Sequence, residues 1–181
     1  MNKIGIVYHP MIEPAGRLAS EMEQFLLAKK IAVWICSAWD VDNVREKLKG
    51  TDLLLTVGGD GTILRAAQAV APGKTPITGI NLGRLGFLTE LNIDEAREKI
   101  NRLLKGEGFI DERALLEVEV QPSDKEPPAS YYTLNDVVIA RGAVARVISV
   151  EAKMNGELLA TYRGDGVIVA TASKTGYALA A

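Results

Sequence analysis

The sequence predicts an α/β protein, with a parallel-sheet domain followed by an antiparallel β-rich domain. Three observations carry that reading. Through residues 1–105, short apolar runs alternate with segments of helical period, the pattern of parallel strands joined by crossover helices. Beyond residue 105 the helical period stops, and short strand-like segments follow one another across turn residues. Glycine-rich stretches also fall directly after strands in the first half, where open parallel sheets bind ligands. A length of 181 residues fits one large domain or two small ones, and 48% hydrophobic content is enough for a packed core.

In chain order, residues 3–8 read as a strand buried through Ile4, Ile6 and Val7 and ended by His9-Pro10. His9, at the sheet's carboxyl edge, is either within reach of a ligand or, as the commoner case, a loop histidine without a ligand role. Residues 15–30 read as a helix, with Leu18, Met22, Phe25 and Leu26 on one face. Residues 31–36 form the second strand, and residues 41–48 a short helix ending at Gly50. Residues 53–57 read as a strand buried on both faces, residues 63–70 as its helix, and residues 75–80 as the fourth strand. Residues 93–104 form an amphipathic helix capped by Asn92, with Ala96, Ile100, Leu103 and Leu104 inward.

The boundary between domains is expected between Leu104 and Arg113, giving domains of residues 1–105 and 106–181. Leu116, Val118 and Val120 alternate with Glu117 and Glu119, as in a half-exposed strand. Further strands are expected at residues 131–140, 144–154, 157–162 and 167–171, with Asn155-Gly156 as a two-residue hairpin turn. Asn135-Asp136 falls mid-strand in that reading. Such residues either present polar atoms to a ligand or mark a bulge or an edge.

Composition excludes several classes of function. A net charge of −2 gives no pull toward nucleic acid or an anionic membrane surface. No apolar stretch reaches spanning length, and Met1-Asn2-Lys3 leads into a strand rather than a signal peptide, so a cytoplasmic location is expected. Cys36 is the only cysteine, which rules out an intrachain disulfide and a thiolate metal cluster; its apolar surroundings predict a buried thiol. No cluster of His and Cys has metal-ligand spacing.

The chemistry concentrates at residues 53–65. A strand, the turn Gly58-Gly-Asp-Gly61 and a helix start at Thr62 place free N–H groups and a helix dipole at one point, which attracts phosphate. Glycines let a ligand approach the backbone. Asp60 is the odd residue, since a carboxylate there repels phosphate unless it holds Mg²⁺ or accepts a proton from an attacking hydroxyl. The competing account is a tight turn whose Asp caps the helix. Asn81-Leu-Gly-Arg-Leu-Gly-Phe-Leu88 is a second glycine-punctuated loop after a strand, in which Phe87 is either a ring against a base or a plug beneath the loop. Arg163-Gly-Asp-Gly166 repeats the Gly-Asp-Gly theme, which also suits a plain turn between strands.

Gly58-Gly-Asp-Gly-Thr62 resembles the signature of a superfamily that includes NAD kinases, lipid kinases and phosphofructokinases. The second loop, Leu134-Asn-Asp136, Asn155-Gly-Glu157 and Arg163-Gly-Asp-Gly-Val-Ile-Val-Ala-Thr171 narrow the resemblance to NAD kinases, over essentially the whole chain. The resemblance implies a Rossmann-like first domain and an enzyme that phosphorylates NAD to NADP, with ATP or polyphosphate as donor and Mg²⁺. It makes Asp60 the catalytic carboxylate facing the 2′-hydroxyl of the adenosine ribose. Gly61 borders the NAD pocket, and Gly58, Gly59 and Thr62 shape the donor loop, with Arg65 in the same cofactor-binding set. Phe87 lines the adenine side. Asn135 and Asp136 stand where the family has an Asn-Glu pair contacting NAD, Asp165 contacts the nicotinamide end, and Arg163 belongs to the cofactor-binding set. Homodimers or homotetramers are implied as well.

Two departures bear on activity. The family's Thr-Pro-Thr/Ser-Gly-Ser-Thr-Ala-Tyr loop is here Thr171-Ala-Ser-Lys-Thr-Gly-Tyr177, one glycine shorter, with Ser173, Thr175, Gly176 and Tyr177 still aligned. The sequence also stops at Ala181, before the β structure that completes the family's second domain, so an incomplete domain with an unpaired sheet edge is expected. These features motivate a second hypothesis, a module that only binds NAD(H) or NADP. A third is a diacylglycerol-type lipid kinase sharing the first loop.

Overall fold

The structure, a computed structural model, describes residues 1–83, 86–121, 127–142 and 146–171. It divides into two compact units, the first being Met1–Glu112 and the second running from Arg113. The first contains β1 (Lys3–Tyr8), α1 (Glu13–Leu27), β2 (Ala32–Ser37), α2 (Val41–Lys47), β3 (Leu53–Gly58), α3 (Asp60–Val70), β4 (Ile77–Asn81), β5 (Leu91–Asn92) and α4 (Ile93–Leu104). All its strands are parallel, in the order β2-β1-β3-β4-β5. The order reverses between β1 and β3, which opens a crevice at their carboxyl ends.

Strand β3 is the centre of this sheet, and every one of its residues is buried. Side-chain alternation sends Leu53, Leu55 and Val57 to one face, where they pack with Ala19, Met22 and Leu26 of α1 and with Ala96 and Ile100 of α4. Leu54 points to the other face and meets Ala66 and Ala69 of α3 and Val44 of α2. Both faces are therefore dry, as the unbroken apolar run predicts. Cys36 lies in the second cluster, and burial pushes its thiol pKa up, as expected of an inert packing residue.

Several boundaries differ from the sequence reading. Helix α1 starts at Glu13, with Pro14 in its first turn where the missing N–H costs nothing, and it ends at Leu27. Lys30, expected to be helical, has φ 63° in the turn that follows. The two-residue strand β5 was not expected; it is too short to carry a periodicity signal. At α4, Asn92 is the N-cap, but the bond is made by Glu95, whose Oε1 accepts the Asn92 N–H at 3.1 Å.

The second unit contains β6 (Leu116–Val120), β7 (Ala129–Thr133), β8 (Asp136–Ala140), β9 (Ile148–Met154), β10 (Glu157–Gly164) and β11 (Gly166–Ala170). They form antiparallel pairs β6–β7, β8–β11 and β9–β10. Asn155 and Gly156 turn the β9–β10 hairpin with φ 53° and 87°, positive at both central positions as a type I′ turn requires. The single strand expected over residues 131–140 is two strands, broken at Leu134-Asn135, so Asn135 is not mid-strand. Leu134 is buried, whereas Tyr131, Val138, Ile139, Leu158, Leu159, Ile168 and Val169 are exposed. Among the described residues, no helix is long and apolar enough to cross a membrane.

Candidate active site

The glycine turn lies at the carboxyl end of β3, at the edge of the crevice. Gly59 caps α3 without a side chain, and Asp60 is its first residue. The first-turn N–H groups of Asp60 and Gly61 have no carbonyl one turn earlier to receive them, as at any helix start. The glycines differ in purpose. A Cβ on Gly58 would stand 2.2 Å from Thr62 Oγ1, so that glycine is required by packing. A Cβ on Gly59 or Gly61 would meet nothing within 4 Å, so these two border open space through which a ligand can reach the backbone. Thr62 is buried, and its Oγ1 accepts the Gly59 N–H at 3.4 Å.

Asp60 does not cap its helix. Its carboxylate reaches across to the second loop, where Oδ2 accepts the Phe87 N–H at 2.8 Å and Oδ1 accepts those of Leu88 and Thr89 at 3.1 and 3.2 Å. The capping account is thereby corrected: Gly59 holds the cap position, and the side chain bridges two loops. A carboxylate offers about four lone-pair sites, so among the described residues these three bonds leave one open, on Oδ2.

The loop presenting those amides is braced by residues that sequence reasoning did not single out. Asn81 Oδ1 accepts the Gly83 N–H at 2.9 Å, and its Nδ2 donates to Thr89 Oγ1 at 3.0 Å. That same Oγ1 accepts the Gly86 N–H at 3.3 Å, and Leu82 N–H donates to the Gly58 carbonyl at 3.0 Å. A Cβ on Gly86 would lie 2.2 Å from Asp60 Oδ1, so only glycine lets the carboxylate reach the amides. The available signal was a buried polar pair, Asn81 and Thr89, flanking a glycine loop at the end of an apolar strand. Phe87 is 81% exposed and is not a plug beneath the loop.

Gly58, Gly59, Asp60, Gly61, Thr62, Arg65 and Phe87 thus gather around one sheet edge of the first unit. Among the described residues, no group of three or more His, Cys, Asp or Glu side chains is placed to hold a metal ion.

In the second unit, Asn135 and Asp136 lie where β8 begins. The Asn135 carbonyl accepts the Thr171 N–H at 2.7 Å, and the Leu134 carbonyl accepts Thr171 Oγ1–H at 2.9 Å. Asn135 Oδ1 is buried, and it has no hydrogen-bond partner among the described residues. A buried orphan acceptor costs about 1–3 kcal/mol, which invites a ligand donor. Asp165 sits at the other end of the β8–β11 ladder, where Ala140 faces Gly166 while Asp136 faces Ala170. Its Oδ1 pairs with Arg141 Nε at 3.0 Å, and its carbonyl accepts the Arg141 N–H at 2.9 Å. The fold separates Asn135 and Asp165 by the length of that ladder. Arg163 is exposed on β10 opposite Ser149. Ser173, Thr175, Gly176 and Tyr177 lie outside the described residues.

Comparison with known proteins follows the same division. Residues 18–108 match the ATP-NAD kinase N-terminal domain, and residues 134–181 match the ATP-NAD kinase C-terminal domain. An NAD kinase of Dehalococcoides mccartyi is 46% identical over 180 residues, covering 99% of this chain and 63% of that protein. One from Syntrophobacter fumaroxidans is 37% identical over 188 residues, covering all of this chain and 66% of that protein. Among solved structures, yeast NADH kinase complexed with NADH superposes with a TM-score of 0.76 at 22% identity, covering 94% of this chain and 57% of the other. That likeness is one of fold. The chain spans about two thirds of the length of the curated relatives it matches.

Proposed function

The chain belongs to the NAD kinase family, and from that premise we propose that it transfers a phosphoryl group from ATP or polyphosphate to the 2′-hydroxyl of the adenosine ribose of NAD, giving NADP. The observation that carries the proposal is the open position on Asp60 Oδ2, beside glycines that leave the backbone accessible. A hydroxyl is a poor nucleophile until a positioned base takes its proton, and Asp60 is fixed by three amides before substrate arrives. The first-turn amides of α3 supply donors for phosphate oxygens, in keeping with a reaction that needs mainly alignment and charge neutralisation. Asn135 contributes an acceptor for NAD, with Asp136 beside it; Asp165 serves the nicotinamide end, and Arg163 the same dinucleotide.

Magnesium fits this arrangement as a companion of the donor. It would be held chiefly by the donor's phosphate oxygens and its own waters, since the one open site on Asp60 is given to the hydroxyl, and it would offset charge on the phosphates. The proposed compartment is the cytoplasm.

The test compares Asp60→Asn with Asn81→Ala in an NADP-formation assay. Asn at position 60 removes the base, and it also places one N–H₂ group among three backbone donors, which loosens the second loop. Asn81→Ala loosens that loop and leaves the carboxylate. A fall in kcat of about 10²–10⁴ for Asp60→Asn, well beyond that of Asn81→Ala, is expected of a general base. Equal losses in the two variants, or none in the first, would refute the role. One observation favours a second reading, a module that only binds the dinucleotide: most of the lone-pair capacity of Asp60 is already used on amides. Calorimetry with NAD alongside the same assay separates the two, since binding without turnover supports the module.

A further inference from the structure

Beside the glycine turn, on the side away from the second loop, three side chains from three elements stack together. The Arg65 guanidinium carbon stands 4.2 Å from the centre of the Trp39 ring, and the His9 ring meets Trp39 edge-on at 4.4 Å and 60°. His9 follows β1, Trp39 follows β2, and Arg65 is on α3, so the cluster sits at the carboxyl edge of the sheet, on the reversal in strand order. The cluster is anchored by backbone. His9 N–H donates to the Val57 carbonyl at 3.0 Å, Met11 N–H donates to His9 Nδ1 at 3.2 Å, and Trp39 N–H donates to Ser37 Oγ at 3.2 Å. A Cβ on Gly58 would lie 3.3 Å from that of His9, so the cluster abuts the turn itself.

Arg65 is the informative member. It is half-buried, yet among the described residues no carboxylate lies within 4.0 Å and no carbonyl accepts from it. Among the described residues, its five N–H donors have an aromatic face for company and no carboxylate. It stands one helical turn beyond Gly61, and helical side chains lean toward the N-terminus of their helix. That direction carries the side chain back over the turn of α3 that starts at Gly61 and onto the Trp39 ring, on the flank of the open space that Gly59 and Gly61 border. A lysine at this position would keep the charge and lose the planar stack.

We propose that Arg65 is the phosphate clamp for the donor's polyphosphate chain, and that Trp39, held by His9, is the positioning residue that keeps its guanidinium aimed at the glycine turn. The ligand chemistry is a linear chain of phosphates, which a nucleoside triphosphate and an inorganic polyphosphate share. The inference rests on the kinase reading above for the identity of the donor, but not for the existence of the anion site.

The test uses magnesium tripolyphosphate and magnesium ATP as separate probes, by equilibrium titration and as donors in the NADP assay. Arg65→Ala and Trp39→Ala are expected to weaken tripolyphosphate binding about tenfold and to raise donor KM similarly, with the KM for NAD unmoved. Trp39→Phe is expected to recover most of the loss, because it keeps an aromatic face. Thermal melting confirms that the variants fold, as Trp39 is 38% exposed. Binding of tripolyphosphate by Arg65→Ala at wild-type affinity, or no binding by the wild type, overturns the clamp. A loss confined to ATP also overturns it, by showing that Trp39 reads the base. If wild-type protein makes no NADP while the variants lose tripolyphosphate, the kinase reading fails and the clamp stands. NADP formation with unaltered donor binding in the variants means the reverse.

Discussion

At the scale of single residues, the site depends on Asp60 reaching the amides of Phe87, Leu88 and Thr89, and Gly86 is the residue that permits it. Gly86→Ala puts a methyl group within 2.2 Å of Asp60 Oδ1, so either the carboxylate or the loop must move. We expect NADP formation to fall at least tenfold while the melting temperature stays near wild type, since the loop lies outside the core; wild-type turnover would show that the bridge is dispensable. Asp52 makes a comparable bridge at the N-terminus, accepting from the backbone N–H groups of Asn2 and Lys3. Those bonds hold its pKa below the ordinary aspartate value, the Asn2 amide contributing most. A depressed carboxylate stabilises the fold above its unfolded pKa and loses that contribution as pH falls through the folded value. Asp52→Asn should therefore lower the melting temperature slightly near neutral pH, with the gap closing below about pH 4. A gap that persists in acid would show that ionisation is not the cause.

At the scale of elements, the turn between β3 and α3 uses its glycines for opposite reasons. Gly58 has no room for a side chain, because Thr62 Oγ1 fills the space, whereas Gly59 is extended (φ −129°, ψ −169°) and faces open space. Gly58→Ala should destabilise the protein by about 1–3 kcal/mol through overpacking. Gly59→Ala should leave stability within about 0.5 kcal/mol and weaken donor binding. Denaturant melts and donor KM values check both; the opposite ranking of stabilities would invalidate the division of roles. Element identity was largely legible in the sequence, because apolar period and turn chemistry are local. The run at β3 and the Asn155-Gly156 hairpin are cases in point. The break between β7 and β8 was only partly legible: Asn135-Asp136 marked an irregularity, but Tyr131 to Thr133 and Val137 to Ile139 read as one β-branched and aromatic run across it.

At the scale of the whole molecule, the apolar clusters of the first unit are complete within it, from Ile4 to Ile100 and partly buried Leu104. In the second unit, Leu134 is the buried apolar side chain among the described residues, and many strand residues there stay exposed. Residues 1–112 expressed alone should therefore unfold cooperatively, with a melting temperature within about 5 °C of the first transition of the whole chain. Loss of a cooperative transition in residues 1–112 would contradict that expectation.

By itself the sequence determined the alternation of strands and helices from β1 to β4, the two glycine loops after β3 and β4, and the family to which they point. Each of these is written in neighbouring residues and needs no knowledge of what lies across the fold. Only the tertiary structure decided that Asp60 spends its oxygens on amides 27 to 29 residues away. It alone brought His9, Trp39 and Arg65 together. Both outcomes follow from strand order, which sets distant chain ends side by side at one sheet edge and leaves no trace in local periodicity.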